Sequence, residues 1–204
     1  AFSADEVLAQ VTPRTSLIIN LLTEDNLPSY HHEIAINVGT DGAWSTWLGR
    51  WTAEEGRHGT AIRDYLLVTR SVDPQALEDM RMAHMQAGFT AINPGFLAGL
   101  TYVSFQELAT RVSHRNTGTA TGDPIAEQLM ARIALDENLH MLFYRNVIEA
   151  AFDVAPDQTM VAVLKASGDN LTRENVMKQA ASLNFEIGIF LPGTKIKKIG
   201  RAHV

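Results

Sequence analysis

Four glutamates sit in the middle of four apolar helical stripes, and two of them are followed three residues later by a histidine. The stripes run Leu17, Glu24, Leu27, His31, Ile34; then Trp44, Trp47, Trp51, Glu55, His58, Ile62, Tyr65; then Leu100, Val103, Glu107, Thr110, His114; and last Leu129, Ile133, Glu137, His140, Tyr144. Steps of three and four put each set on one helix face, the face a helix turns inward. A buried carboxylate without a partner costs several kcal/mol even after relaxation, so four converging glutamates need compensation. Two metal ions supply it. In each Glu-x-x-His pair, residues i and i+3 project from one turn and can hold the same ion. The order repeats: Glu24 precedes Glu55 by 31 residues and Glu107 precedes Glu137 by 30, as in two helix hairpins related by a pseudo-twofold axis.

Strand-like alternation is scarce, and the periodicity predicts helices over residues 15–38, with a kink at Pro28, and 42–70. A shorter connecting helix over 74–87 is opened by Asp73 as cap and Pro74 at the first helical position. Long helices then follow over 96–117 and 124–152. Four long helices with one longer crossover, carrying this ligand set, predict an all-α, ferritin-like four-helix bundle with a di-iron centre.

Composition narrows the chemistry. The chain has no cysteine, so a metal can be held only by His, Asp and Glu, a donor set that suits iron or manganese and does not exclude zinc. Neither a membrane-length apolar run nor a signal pattern is present, which predicts a cytoplasmic protein without membrane insertion. There is no His-Glu-x-x-His pattern and no phosphate-binding glycine loop. The net charge of −6 hides two unlike parts: residues 1–164 carry ten Arg, no Lys and twenty acids (10 − 20 = −10), and residues 165–204 carry seven bases and three acids (7 − 3 = +4). The acidic part argues against nucleic-acid binding. The expected organisation is a bundle domain over 1–164 and a tail of foreign character over 165–204, with a helix over 172–183. A start at Ala1 is expected of a fragment or a processed product.

The acids preceding each motif glutamate, Glu54 and Asp136, are expected to accept the free ring N–H of the opposite helix's histidine, fixing its tautomer. The remaining histidines, His31, His32, His84, His114 and His203, read as surface or satisfied core groups.

The strings Thr23-Glu24-Asp25-Asn26-Leu27-Pro28, Trp51-Thr52-Ala53-Glu54-Glu55-Gly56-Arg57-His58-Gly59, Ser104-Phe105-Gln106-Glu107-Leu108-Ala109-Thr110 and Asp136-Glu137-Asn138-Leu139-His140 resemble the soluble acyl-acyl-carrier-protein desaturases, the mycobacterial branch most closely, over roughly residues 15–160. The resemblance implies two irons bound by Glu24, Glu55, His58, Glu107, Glu137 and His140. It places Thr110 beside the oxygen-binding pocket and pairs Asp136 with the first-motif histidine. It also implies O2-dependent insertion of a double bond into an acyl chain delivered on acyl carrier protein, two electrons from a ferredoxin-like donor, and a homodimer. A ferroxidase or iron-storage protein with the same ligands, and an inactive desaturase fragment, are the alternatives. Gly56 departs from the asparagine usual in the first motif. Residues 168–181 look like the C-terminal part of periplasmic amino-acid-binding proteins, which supports the reading of the tail as a graft.

Overall fold

The computed structural model describes residues 4–39, 41–89 and 95–166, with side chains from residue 13 onward. It contains α1 (Ala4–Asp25), α2 (Leu27–Val38), α3 (Gly42–Val68), α4 (Pro74–Ala87), α5 (Phe96–Thr121), α6 (Pro124–Val154) and α7 (Pro156–Ala166). The chain divides into two compact units. The first comprises residues 1–92 and 106–140, and the second comprises 93–105 and 141–204.

The first unit is the helical bundle. Leu17 and Leu21 of α1, Ile62 and Leu66 of α3, Leu77 of α4, and Met130 and Ile133 of α6 form its buried apolar cluster. Local chemistry sets the helix ends. Asp73 Oδ1 accepts the Ala76 N–H at 2.8 Å and starts α4 at Pro74, as capping predicts. At the end of α3, Arg70 takes φ 55°, and the Ser71 N–H reaches back to the Leu66 carbonyl at 3.0 Å. This is the left-handed closure usually made by glycine, and it stops the helix at Val68 rather than at the expected Arg70.

Three other expectations are corrected. The first helix is two helices: the chain turns at Asn26 and restarts with Pro28 in the first turn of α2, where a missing N–H costs nothing. At its other end α1 runs back to Ala4 through Pro13, whose ring removes one backbone bond yet keeps a helical φ. Helix α5 continues past residue 117 to Thr121, and within that extension Gly118 lets α6 approach. A Cβ there would lie 2.8 Å from Met130 Cβ, so the glycine serves packing, and the helix stops at Gly122, with φ 66°.

In the second unit, α7 follows α6 across Ala155 alone, a helix the periodicity did not predict. It buries Thr159, Ala162, Val163 and Leu164. The helix expected over 172–183, and most of the tail, lie outside the described residues. Among the described residues no helix is long and apolar enough to cross a membrane.

Candidate metal centre

All six predicted ligand residues come together inside the first unit. Glu24, Glu55, His58 and Glu137 offer one donor atom each within 4.8 Å of one another, and so do Glu55, Glu107, Glu137 and His140. Glu55 and Glu137 belong to both groups, so they are placed to bridge two ions. Glu24 and His58 belong to the first group alone, and Glu107 and His140 to the second alone. None of the six is more than 7% exposed.

The donor set suits two divalent ions. Glu55 Oε1, Glu137 Oε1, His58 Nδ1 and His140 Nδ1 are buried and make no hydrogen bond of acceptable geometry. Yet His140 Nδ1 lies 2.8 Å from Glu55 Oε1 and His58 Nδ1 lies 3.2 Å from Glu137 Oε1. Donor atoms converging at these distances are what an ion would join. The charges agree as well, since four carboxylates balance two dications. The site fits the group.

Each imidazole is oriented from behind. His140 Nε2 is 3.0 Å from Glu54 Oε2, and His58 Nε2 is 3.4 Å from Asp136 Oδ2. With Nε2 facing an acid, the ring keeps its proton there and turns the Nδ1 lone pair inward. The acids are steadied one turn earlier, Arg50 to Glu54 at 3.2 Å and Arg132 to Asp136 at 3.4 Å. The repeat therefore includes the supports: Arg50, Glu54, Glu55 and His58 recur 82 positions later as Arg132, Asp136, Glu137 and His140. The Thr110 hydroxyl lies 3.1 Å from the carbonyls of Gln106 and Glu107 and 3.2 Å from Glu137 Oε2. Its single proton thus has a backbone partner and a carboxylate partner to choose between.

Without metal, the buried carboxylates and imidazoles lean on one another. Burial opposes a charged His58, but the carboxylates of Glu137, Glu24 and Glu55 overcome it and push the ring up to about 12. Burial pushes the Glu107 carboxyl well above the usual range, and the neighbouring Glu137 and Glu55 add to this. Burial likewise raises Glu55. Against its own burial, Glu137 is held well below that range by His114, His140 and His58. Metal-free, the interior has to share protons among carboxylates and imidazoles.

Sequence reading missed two members. Trp51 Nε1 donates to Glu107 Oε1 at 3.3 Å. His114 is fully buried, its Nε2 2.8 Å from Glu24 Oε1; its position seven residues after Glu107 on the same stripe was the available signal. Of the other histidines, His31 pairs with Thr52 Oγ1 at 2.8 Å, His32 is exposed, His84 sits in the last turn of α4, and His203 lies outside the described residues.

Comparison with known proteins agrees with this geometry. Residues 5–177 match the fatty acid desaturase family. The Mycobacterium tuberculosis protein called acyl-[acyl-carrier-protein] desaturase DesA1 is 60% identical over 158 residues, covering 72% of this chain and 46% of the relative. DesA2 of the same organism is 38% identical over 151 residues, 74% of this chain and 55% of that one. The X-ray structure of DesA2 superposes with a TM-score of 0.56 at 30% identity, covering 82% of this chain and 64% of the other. The chain spans about half the length of the curated relatives it matches. A ferritin-like bundle, two buried Glu/His clusters sharing two carboxylates, and a family match over most of its length place this chain in the fatty acid desaturase family, alongside the mycobacterial acyl-[acyl-carrier-protein] members it resembles.

Proposed function

We propose that this chain carries the di-iron centre of a fatty acyl-[acyl-carrier-protein] desaturase of fatty acid biosynthesis. The net reaction removes two hydrogens from adjacent methylenes and reduces O2, with two electrons and two protons, to two waters. The observation that carries this reading is the pair of clusters sharing Glu55 and Glu137 inside one bundle, in a chain 60% identical to DesA1. Glu24, Glu55, His58, Glu107, Glu137 and His140 would hold the irons. When bound, the irons supply the redox chemistry with dioxygen.

The chain's own residues do the rest. Glu54 and Asp136 keep the Nε2 protons of His140 and His58 facing away from the metals. Thr110 holds a hydroxyl proton within 3.2 Å of Glu137 Oε2 and is the candidate proton carrier at the pocket. The buried faces of Trp51, Ile62 and Ile133 keep the interior dry, which strengthens every charge interaction in it. The acyl chain would arrive on acyl carrier protein and the electrons from a ferredoxin-like donor, with the whole protein acting as a cytoplasmic homodimer. In this reading residues 1–164 form the desaturase domain and 165–204 stand apart from it.

The test is anaerobic loading with ferrous iron, then oxygen, a ferredoxin reducing system and saturated acyl carrier protein substrates, with products read by mass spectrometry. The expected result is two irons per chain and an acyl product two mass units lighter. Oxygen consumption with ferric iron accumulating beyond two per chain, and no olefin, would assign the chain to iron oxidation instead.

A further inference from the structure

The two carboxylates that belong to one group each are held in the same way by unlike donors. Glu24 turns Oε2 toward the cluster, 3.6 Å from His58 Nδ1, and gives Oε1 to His114 Nε2 at 2.8 Å. Glu107 turns Oε2 toward His140 Nδ1 at 3.7 Å and gives Oε1 to the Trp51 indole at 3.3 Å. In each case one oxygen is tied to an N–H donor and the other is left for a metal.

The two donors are not counterparts in the repeat. Trp51 shifted by 82 positions is Ile133, a buried aliphatic that cannot donate. His114 shifted back by 83, the offset between Glu24 and Glu107, is His31, which bonds Thr52 instead because α1 has ended at Asp25 and His31 rides on α2. The support around the metals is therefore asymmetric although the donor set is symmetric. His114 Nδ1 is buried and makes no hydrogen bond, so the contacts of the ring to the centre run through Nε2, which bonds Glu24 Oε1 at 2.8 Å and lies farther, 3.5 Å, from Glu137 Oε1. Beside it, Asn20 ties α1 to α5, donating to Thr117 Oγ1 at 2.9 Å and accepting from Ser113 Oγ at 2.8 Å. This polar seam fixes the helix separation at which His114 meets Glu24.

We propose that His114 is a positioning residue: its Nε2–H fixes one oxygen of Glu24 and so sets the affinity and geometry of the Glu24–His58 half-site, while Trp51 does this for the Glu107–His140 half-site. The inference rests on reading the clusters as a two-metal centre. A group behind a ligand that fixes its orientation is worth roughly 10–100-fold in metal affinity.

The experiment is an anaerobic titration of the full chain with cobalt(II) alone, followed by visible absorption and magnetic circular dichroism, with the bands of each half-site assigned using Glu24→Ala and Glu107→Ala. His114→Leu should weaken the Glu24 half-site by about 10–100-fold and alter its ligand-field bands, and should weaken the other half-site less, because His114 reaches it only through the longer 3.5 Å contact to the shared Glu137. His114→Gln, which keeps an N–H donor, should restore both affinity and bands. Trp51→Phe should weaken the Glu107 half-site instead. Equal loss at both half-sites, unchanged binding in His114→Leu, or no rescue by a folded His114→Gln overturns the proposal. A measurement that does not depend on a folded leucine variant is the histidine 1H–15N correlation of the zinc-loaded chain. It should show His114 carrying its proton on Nε2, in slow exchange that Glu24→Ala abolishes; a proton on Nδ1 instead overturns the assignment. A wild type that binds no pair of ions defeats the two-metal reading and this inference together, whereas two ions bound alike by all variants defeat this inference alone.

Discussion

Gly56 and Gly59 lie one turn apart on α3, and the same substitution at each is expected to act in opposite directions. Glycine inside a helix is less favourable than alanine by about 0.8–1.0 kcal/mol. At Gly56 an added Cβ would meet only Leu27 Cδ2 at 3.8 Å, an ordinary contact. Gly56→Ala therefore gains the full propensity term, and for a chain of this size about 1 kcal/mol raises Tm by roughly 2–4 °C. At Gly59 the Cβ would sit 3.3 Å from Asp25 Oδ1 and 3.4 Å from Glu24 Cβ, the second inside the optimal separation of about 3.5–4.0 Å for carbon contacts. Neither neighbour yields easily. Asp25 is gripped by the Arg81 guanidinium through two bonds, Nη2 to Oδ1 being 3.0 Å, and Glu24 is tied to His114. Overpacking of this kind costs about 1–3 kcal/mol, which cancels or exceeds the propensity gain. The displaced Glu24 should also lower metal affinity at its half-site. Thermal unfolding of the metal-free variants, with a cobalt(II) titration of each, reads both effects: Gly56→Ala stabilised with binding unchanged, Gly59→Ala no more stable than wild type and binding more weakly. If Gly59→Ala gained the same stability as Gly56→Ala and bound both ions normally, the close approach of α3 to Glu24 would be wrong.

Removing Glu54 or Asp136 as alanine should each cost roughly 10–100-fold in metal affinity, by freeing the imidazole of the opposite helix, and isothermal titration would show whether the two losses are alike. Saturation with ferrous or cobalt ion should raise Tm and chelation should reverse it; at about 100 times Kd the gain is near 2.7 kcal/mol, and Glu107→Ala should lose most of it. Asp123 accepts the Tyr65 hydroxyl at 2.7 Å and caps α6 through the Ile125 N–H at 2.8 Å. The Tyr65 bond, then the backbone bonds, holds its carboxyl below the ordinary range. A depressed carboxyl stabilises above its unfolded pKa and ceases to as pH falls through the folded one. The advantage of wild type over Asp123→Asn in denaturant melts should accordingly be present at neutral pH and narrow below about pH 4; a gap constant down to pH 3 would contradict this.

What could be read from the sequence follows from which physics is local. Pro74 and Asp73 announce α4 because a cap bond spans three residues. The Glu-x-x-His pairs announce ligands because both side chains leave one turn. The passage of α5 through Gly118 and the placing of the break at Asn26, two residues before the expected kink at Pro28, were illegible because each is decided by a neighbour distant in sequence, whereas the left-handed turn at Arg70 is closed by local bonds that an arginine does not announce. Gly118 faces Met130 and Glu127, and Asn26 donates to the Gly88 carbonyl at 3.3 Å. His114 was on the correct stripe, but its value depends on Glu24, ninety positions away. The acids behind the histidines were legible only because they adjoin the ligands in sequence.

The candidate ligands divide evenly along the chain: Glu24, Glu55 and His58 precede the turn at residues 69–73, and Glu107, Glu137 and His140 follow it. Neither half holds a complete set of four for either ion, since each group takes donors from both sides. A polypeptide cut in that turn would be expected to dissociate without metal and to reassemble when ions are added. The centre would then act as the joint between two complementing fragments, a cross-link that a chain without cysteine has no other covalent-like means of making.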